Sequence, residues 1–259
     1  MACAPHWLIR FPALAPATMR LYCFPHAGGH SLAYRQWPHG LPKSVEVVSI
    51  QLPGRANRLR ERPIASMKEL VDHIIRALDG ETEVPYAFFG HSMGAILAWA
   101  VTHGLADAGR PLPRHLIVSG RRGPRVADRE PKLSGLTDAA FIAAIKDRYG
   151  GIPDELARHA DVMELLLPPL RADIAAVEGL ELPAAKRLPM PISAFGGRDD
   201  RMTTHDDLAA WSDETSCELR LRVYPGGHFY LEEQRAVLLG EITRLLAACT
   251  DDRQNVVMT

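Results

Sequence analysis

Short unbroken apolar runs alternate along this chain with longer stretches of helical periodicity, and that alternation leaves few folds open. A strand that is apolar at every position has both faces covered, as in a parallel sheet with helices on either side. Six short runs read as strands, 21–24, 45–50, 86–89, 116–119, 192–195 and 219–224, nearly all apolar except that Glu46 interrupts 45–50 and Arg220 and Arg222 interrupt 219–224. Pro25 with Gly28-Gly29 closes the first and Pro53-Gly54 the second, since these residues punctuate strands. Helices are expected from Ser66 to Leu78, with Ser66 as cap and Glu69 as its capping-box partner, from Ala95 to about His103, and from Leu231 to Ala247 before a frayed polar tail. The pattern predicts a mostly parallel α/β sheet in one domain over 1–259.

One stretch breaks the rhythm. Between Ser119 and Pro191 lie about 70 residues with no strand pattern, far more than a βα connection needs. Helices are expected there at Asp138–Tyr149, capped by Thr137 and stopped by Gly150-Gly151, at Asp154–Leu167 and at Arg171–Leu180. Pro168 and Pro169 are expected to separate the last two. The region 121–190 therefore reads as an inserted helical unit.

Composition narrows the function. Of 259 residues, 47% are apolar, and 30 Lys and Arg against 31 Asp and Glu leave a net charge of −1; this is no electrostatic footprint for nucleic acid. Cys3, Cys23, Cys217 and Cys249 are scattered without metal-ligand spacing, so neither a zinc site nor a disulfide framework is expected. Arg10 and several prolines interrupt the N-terminal apolar stretch, and no run approaches the ~20 residues of a membrane span. A cytoplasmic monomer without membrane contact is expected.

Gly90-His91-Ser92-Met93-Gly94 carries the strongest chemical signal. It matches G-x-S-x-G between an apolar strand and a helix, where small residues two places either side of the serine permit a sharp, strained turn. Such a turn presents Ser92 Oγ as a nucleophile at the positive end of a helix dipole; the alternative is a tight turn around a buried serine. A serine nucleophile needs a base, and the base needs an orienting acid. His228, in Pro225-Gly226-Gly227-His228 directly after the last strand, is the favoured base over His205, which sits in a polar stretch that reads as a helix start. The acid lies in Gly196-Gly197-Arg198-Asp199-Asp200; the G-x-x-D spacing from Gly197 favours Asp200 over Asp199. An oxyanion hole requires the N–H after the nucleophile, Met93, and a second donor from an early loop, which Phe24-Pro25-His26-Ala27-Gly28-Gly29 supplies through Ala27.

With these residues assembled, the chain resembles the type II thioesterases, stand-alone α/β-hydrolases that accompany polyketide and nonribosomal peptide synthases. The resemblance rests on the segments just named together with Gln51-Leu52-Pro53-Gly54-Arg55 and Arg58, Leu166-Leu167-Pro168-Pro169-Leu170-Arg171-Ala172-Asp173, and Pro225-Gly226-Gly227-His228-Phe229-Tyr230, and it spans about residues 19–246. One departure is Arg201-Met202, where a proline, a spacer and a valine are commoner. The resemblance implies an α/β-hydrolase fold whose helical insertion is a lid. It implies hydrolysis of acyl thioesters from the phosphopantetheine arm of an acyl or peptidyl carrier protein, with no cofactor or metal of the enzyme's own. Arg55 and Arg58 are candidate contacts for the arm's phosphate or an acidic carrier, against the alternative of arginines that are solvated or in local ion pairs. Rival readings are a carboxylesterase or lipase of small esters and a non-catalytic carrier-binding protein.

Overall fold

The computed structural model describes residues 7–81, 83–151, 155 and 158–256, with side chains through 249. Seven strands, β1 (Leu8–Phe11), β2 (Met19–Phe24), β3 (Val45–Ile50), β4 (Tyr86–His91), β5 (Leu116–Ser119), β6 (Ile192–Gly197) and β7 (Leu219–Tyr224), form one sheet in the order β1-β3-β2-β4-β5-β6-β7. Every pairing is parallel except that of β1 with β3. All six expected strands are present. β1 was not legible because only part of its LIRF segment is covered and Arg10 faces out from it, so it lacks the continuous apolar signature of the buried strands.

Alternation within each strand builds two cores. Tyr22 and Phe24 of β2 face one layer, with Met67, Leu70 and Ile74 of α1 (Met67–Ala77) and Ile96 of α2 (Met93–Asp107). Leu21 and Cys23 face the other, with Tyr34, Trp37 and Leu238, Ile242 and Leu245 of the closing helix. Ser66 caps α1 by accepting from the Glu69 N–H at 3.3 Å, and α2 begins at Met93, inside the serine motif itself.

The insertion supplies α3 (Asp138–Tyr149) and α4 (Ala160–Glu178). Thr137 Oγ1 accepts from the Ala140 N–H at 3.4 Å, and Gly150 ends α3 at φ +66°, as expected. Leu133, Phe141, Ile145, Leu170 and Ile174 make a small core of their own, against which Ala27 packs. The expectation that Pro168 and Pro169 separate two helices is corrected: both lie inside α4. Two missing N–H groups cost the helix two bonds. Tertiary contact offsets the loss, because Met163, Pro169, Leu170, Asp173, Ile174 and Ala176 are all buried along it. The first part of the helix expected at Asp154–Leu167 lies partly outside the described residues.

Three further helices complete the chain: α5 (His205–Ala209), α6 (Tyr230–Glu233) and α7 (Arg235–Val256). The polar tail therefore continues the last helix instead of fraying at Ala247. No helix among the described residues is long and apolar enough to cross a membrane.

Candidate active site

The sheet's carboxyl edge carries the site. Ser92 turns from β4 into α2 at φ +56°, ψ −116°, a strained backbone for a residue with a side chain. Its N–H donates to the Ser119 carbonyl at 2.8 Å, tying the turn to the end of β5. The flanking glycines are steric necessities. A Cβ on Gly90 would lie 2.1 Å from the Gly94 carbonyl oxygen, and one on Gly94 would lie 2.1 Å from that of Phe24. The close approach of α2 to β2 brings the His26–Gly29 loop beside the serine.

β6 and β7 deliver the other two groups. A Cβ on Gly197 would lie 2.2 Å from the Gly227 carbonyl oxygen, so only glycine lets the end of β6 reach the loop after β7. Across that approach Asp200 Oδ2 lies 2.8 Å from His228 Nδ1, and His228 Nε2 lies 3.0 Å from Ser92 Oγ. Asp200 Oδ1 accepts from the Met202 N–H at 2.9 Å, which orients the carboxylate from its far side. Asp199 is exposed and gives its N–H to the Gly226 carbonyl. His205 is also exposed, on the first turn of α5, where its nearest acid is its own neighbour Asp206. The structure thus brings together Ser92, Asp200 and His228 and leaves out both competitors.

Such a chain of hydrogen bonds can move a proton from the serine hydroxyl to the imidazole, with the carboxylate holding the ring in the tautomer that accepts it. Met93 N–H at the start of α2 and Ala27 N–H find no acceptor among the described residues, and both residues line the same cavity as Ser92 and His228. Their amides are free to receive a developing oxyanion.

Three histidines crowd the site, a feature the sequence reading did not single out although His26 and His91 stand inside the two motifs. The His91 ring lies 5.0 Å from that of His228, and His26 lies 6.1 Å from His91. Burial, followed by His228, pushes His26 down to about 4 and holds His91 well below the ordinary histidine range. Both rings are neutral at pH 7, so neither adds positive charge beside His228. His91 Nδ1 is 2.9 Å from Ser119 Oγ, which is 2.6 Å from the Tyr230 hydroxyl. This braces the residue next to Ser92 against two neighbouring elements.

The arginines of the Leu-Pro-Gly-Arg segment decide between two expectations. Arg55 and Arg58 are not surface cations: they are 6% and 7% exposed. Arg55 clasps Asp173 of α4 through Nη1 at 2.5 Å and Nη2 at 2.8 Å, and Asp173 also accepts the Gly28 N–H at 2.7 Å. Arg58 donates to the Gln51 carbonyl and pairs with Glu61. Of the two readings, local ion pairing holds.

The cavity above Ser92 has a volume of about 180 Å³ and is roofed by the insertion, with Leu133, Ile145, Leu170 and Ile174 on its apolar side. A family model described as "Thioesterase domain" matches residues 19–246. The chain belongs to the thioesterase family. It is 35% identical over 229 residues to the gramicidin S biosynthesis protein GrsT of Aneurinibacillus migulanus, covering 88% of this chain and 89% of that one. It is 36% identical to the thioesterase PikA5 of Streptomyces venezuelae, covering 92% and 84% of the two chains. Among solved structures, the RedJ thioesterase from the prodiginine pathway of Streptomyces coelicolor superposes with a TM-score of 0.82 at 39% identity, covering 90% and 87%. The type II thioesterase BorB from the borrelidin cluster gives 0.81 at 31% identity, covering 94% and 97%. The thioesterase therefore has the α/β-hydrolase fold, groups with the type II members of its family, and is a hydrolase of thioesters.

Proposed function

We propose that this thioesterase releases acyl groups held on the phosphopantetheine arm of an acyl or peptidyl carrier protein, in the service of a polyketide or nonribosomal peptide synthase. The reading rests on one observation: an unbroken Ser92–His228–Asp200 hydrogen-bond chain at the floor of an acyl-sized cavity roofed by inserted helices. The synthase setting is supported by relatives named for such pathways: GrsT is a gramicidin S biosynthesis protein, and the type II thioesterase YbtT comes from the yersiniabactin NRPS/PKS biosynthetic pathway.

His228 Nε2 takes the proton as Ser92 Oγ attacks the thioester carbonyl. The oxyanion of the tetrahedral intermediate is received by the N–H groups of Met93 and Ala27. Collapse expels the pantetheine thiolate, which takes the proton from His228 and leaves an acyl-serine. A free thiol titrates near 8.5, so this departure asks less of the histidine than an amine would. Water, deprotonated by His228, then attacks the acyl-serine; the proton returns to Ser92 and the free acid leaves. The insertion acts as a lid over the acyl group, and its opening admits both the arm and the water.

The test presents one acyl group three ways: on a carrier protein, as a free pantetheine thioester and as a matching oxygen ester. Fastest release from the carrier, with the oxygen ester slowest, is the expected order. Equal or better cleavage of the oxygen ester without carrier advantage moves the assignment to a general esterase, and turnover of none of them leaves a carrier-binding protein.

A further inference from the structure

The charges that line the catalytic cavity do not balance. Three acids are already engaged. Asp128 pairs with Arg122, Glu130 with Arg148, and Glu178 accepts the N–H groups of Leu133 and Ser134 at 2.5 and 3.1 Å. Lys132, at the exposed rim, donates to the Glu178 carbonyl. Arg121 is left over. It lines the cavity with Ser92 and His228, the residue is half-buried, and its Nε is closed to solvent with no hydrogen-bond partner among the described residues.

A guanidinium in that position needs an explanation. Arginine stays charged even though burial draws its basicity down, and a guanidinium N–H closed to solvent without a partner is costly. The backbone beneath it is fixed. The Trp211 indole N–H donates to the Arg121 carbonyl at 2.8 Å. Gly120 lies so close under the histidines that a Cβ there would be 2.6 Å from His91 Cε1 and 3.5 Å from His228 Cε1. The Arg121 side chain therefore leaves a fixed backbone one position from Gly120, beside the catalytic ring.

We infer that Arg121 forms an anion subsite inside the acyl cavity, suited to acyl groups that end in a carboxylate. The inference rests on the reading of this cavity as the acyl site. The methylenes of such a chain lie against Leu133, Ile145 and Leu170, while the terminal carboxylate accepts from the unpartnered Nε–H and the adjoining edge of the guanidinium, a geometry that favours two parallel bonds. The same excess cation works against acyl groups carrying an ammonium, which would meet a like charge in a cavity of low dielectric.

The test compares shape-matched pairs of pantetheine thioesters: succinyl with 4-methylpentanoyl, and glutaryl with 5-methylhexanoyl. The ratio of kcat/KM within each pair is measured for the native protein, Arg121→Gln and Arg121→Lys. A charge-assisted bond is worth enough that the carboxylated-to-neutral ratio should fall about tenfold or more in Arg121→Gln and partly recover in Arg121→Lys. An unchanged ratio for both pairs overturns the subsite. Calorimetric titration of free glutarate against 5-methylhexanoate gives a second measurement. Glutarate is expected to bind the native protein more tightly and to lose that preference in Arg121→Gln. If that variant does not fold, absence of a glutarate preference in the native protein overturns the proposal on its own. If the native protein cleaves no thioester, the catalytic reading fails, while the titration still decides the subsite.

Discussion

Asp173 is where removing a single carboxylate should disturb this protein most. It is 1% exposed and accepts three hydrogen bonds, two from Arg55, itself buried, and one from the Gly28 N–H. Asp173→Ala leaves a guanidinium inside the protein without its counter-charge. Breaking a buried pair from one side costs about 3–5 kcal/mol, a large share of the ~5–15 kcal/mol that holds a typical domain together. At this chain length each kcal/mol lowers Tm by roughly 2 °C, so a drop of about 6–10 °C is expected. The double replacement Arg55→Met with Asp173→Leu should restore much of the loss, because two desolvated charges vanish together. Urea unfolding of the native protein, both single variants and the double variant closes the cycle. A cost below about 1 kcal/mol for Asp173→Ala, or a double variant no better than the worse single one, would refute the argument that the pair is buried and coupled. Activity supplies a second reading, since the Gly28 amide follows Ala27 directly: Asp173→Ala should lower kcat more than the stability loss alone would at a temperature where it is still folded.

Three further outcomes are expected. Ser92→Ala should reduce thioester turnover by roughly 10⁴–10⁶-fold, by analogy with other serine triads, with the fold intact by circular dichroism; a loss under tenfold removes Ser92 from the chemistry. Asp200→Asn should lower kcat by about 10⁴-fold, the effect of presenting the wrong histidine tautomer in serine proteases, whereas Asp199→Asn, an exposed change, should stay within a few-fold of native. His115, 3% exposed and beside Ser193, is pushed down by burial from 6.5 to about 4. A depressed histidine stabilises the fold above its unfolded value, and that contribution drains away as pH falls from 6.5 towards 4, by about 3 kcal/mol in all. Urea midpoints at pH 7 and pH 4.5 should therefore converge in His115→Gln relative to native, and equal pH dependence of the two proteins would exclude the effect.

Much of this arrangement was open to reading along the chain, for physical reasons that differ by element. The covered strands were visible as short, near-continuous apolar runs and the edge strand β7 through the alternation of Leu-Arg-Leu-Arg-Val-Tyr, whereas β1, the other edge, is four residues long with Arg10 facing out and offers neither signature. The triad candidates could be chosen because each follows a strand end, and local spacing separated Asp200 from Asp199. Arg55 stayed open between two readings because its partner lies 118 positions away, and no local pattern distinguishes a buried arginine from a solvated one. Arg121 was passed over for the same reason: a charge acquires meaning from what fails to surround it, and that is a property of the assembled cavity. The continuity of α4 across its prolines was equally a tertiary outcome.

That helix also divides its own motions. Pro168 and Pro169 remove the N–H groups that would close on the carbonyls of Glu164 and Leu165, so no ladder bond from those two residues crosses the junction. C-terminal to it, Asp173 and Ile174 are pinned against the body of the protein; N-terminal to it, Leu165 and Leu166 stand 53% and 41% exposed. Opening of the first two turns therefore breaks few interactions that the rest of the helix depends on. Amide exchange should register this as a step in protection at the prolines, with residues 160–167 trading hydrogen at low cost and 170–178 exchanging only as the domain itself opens.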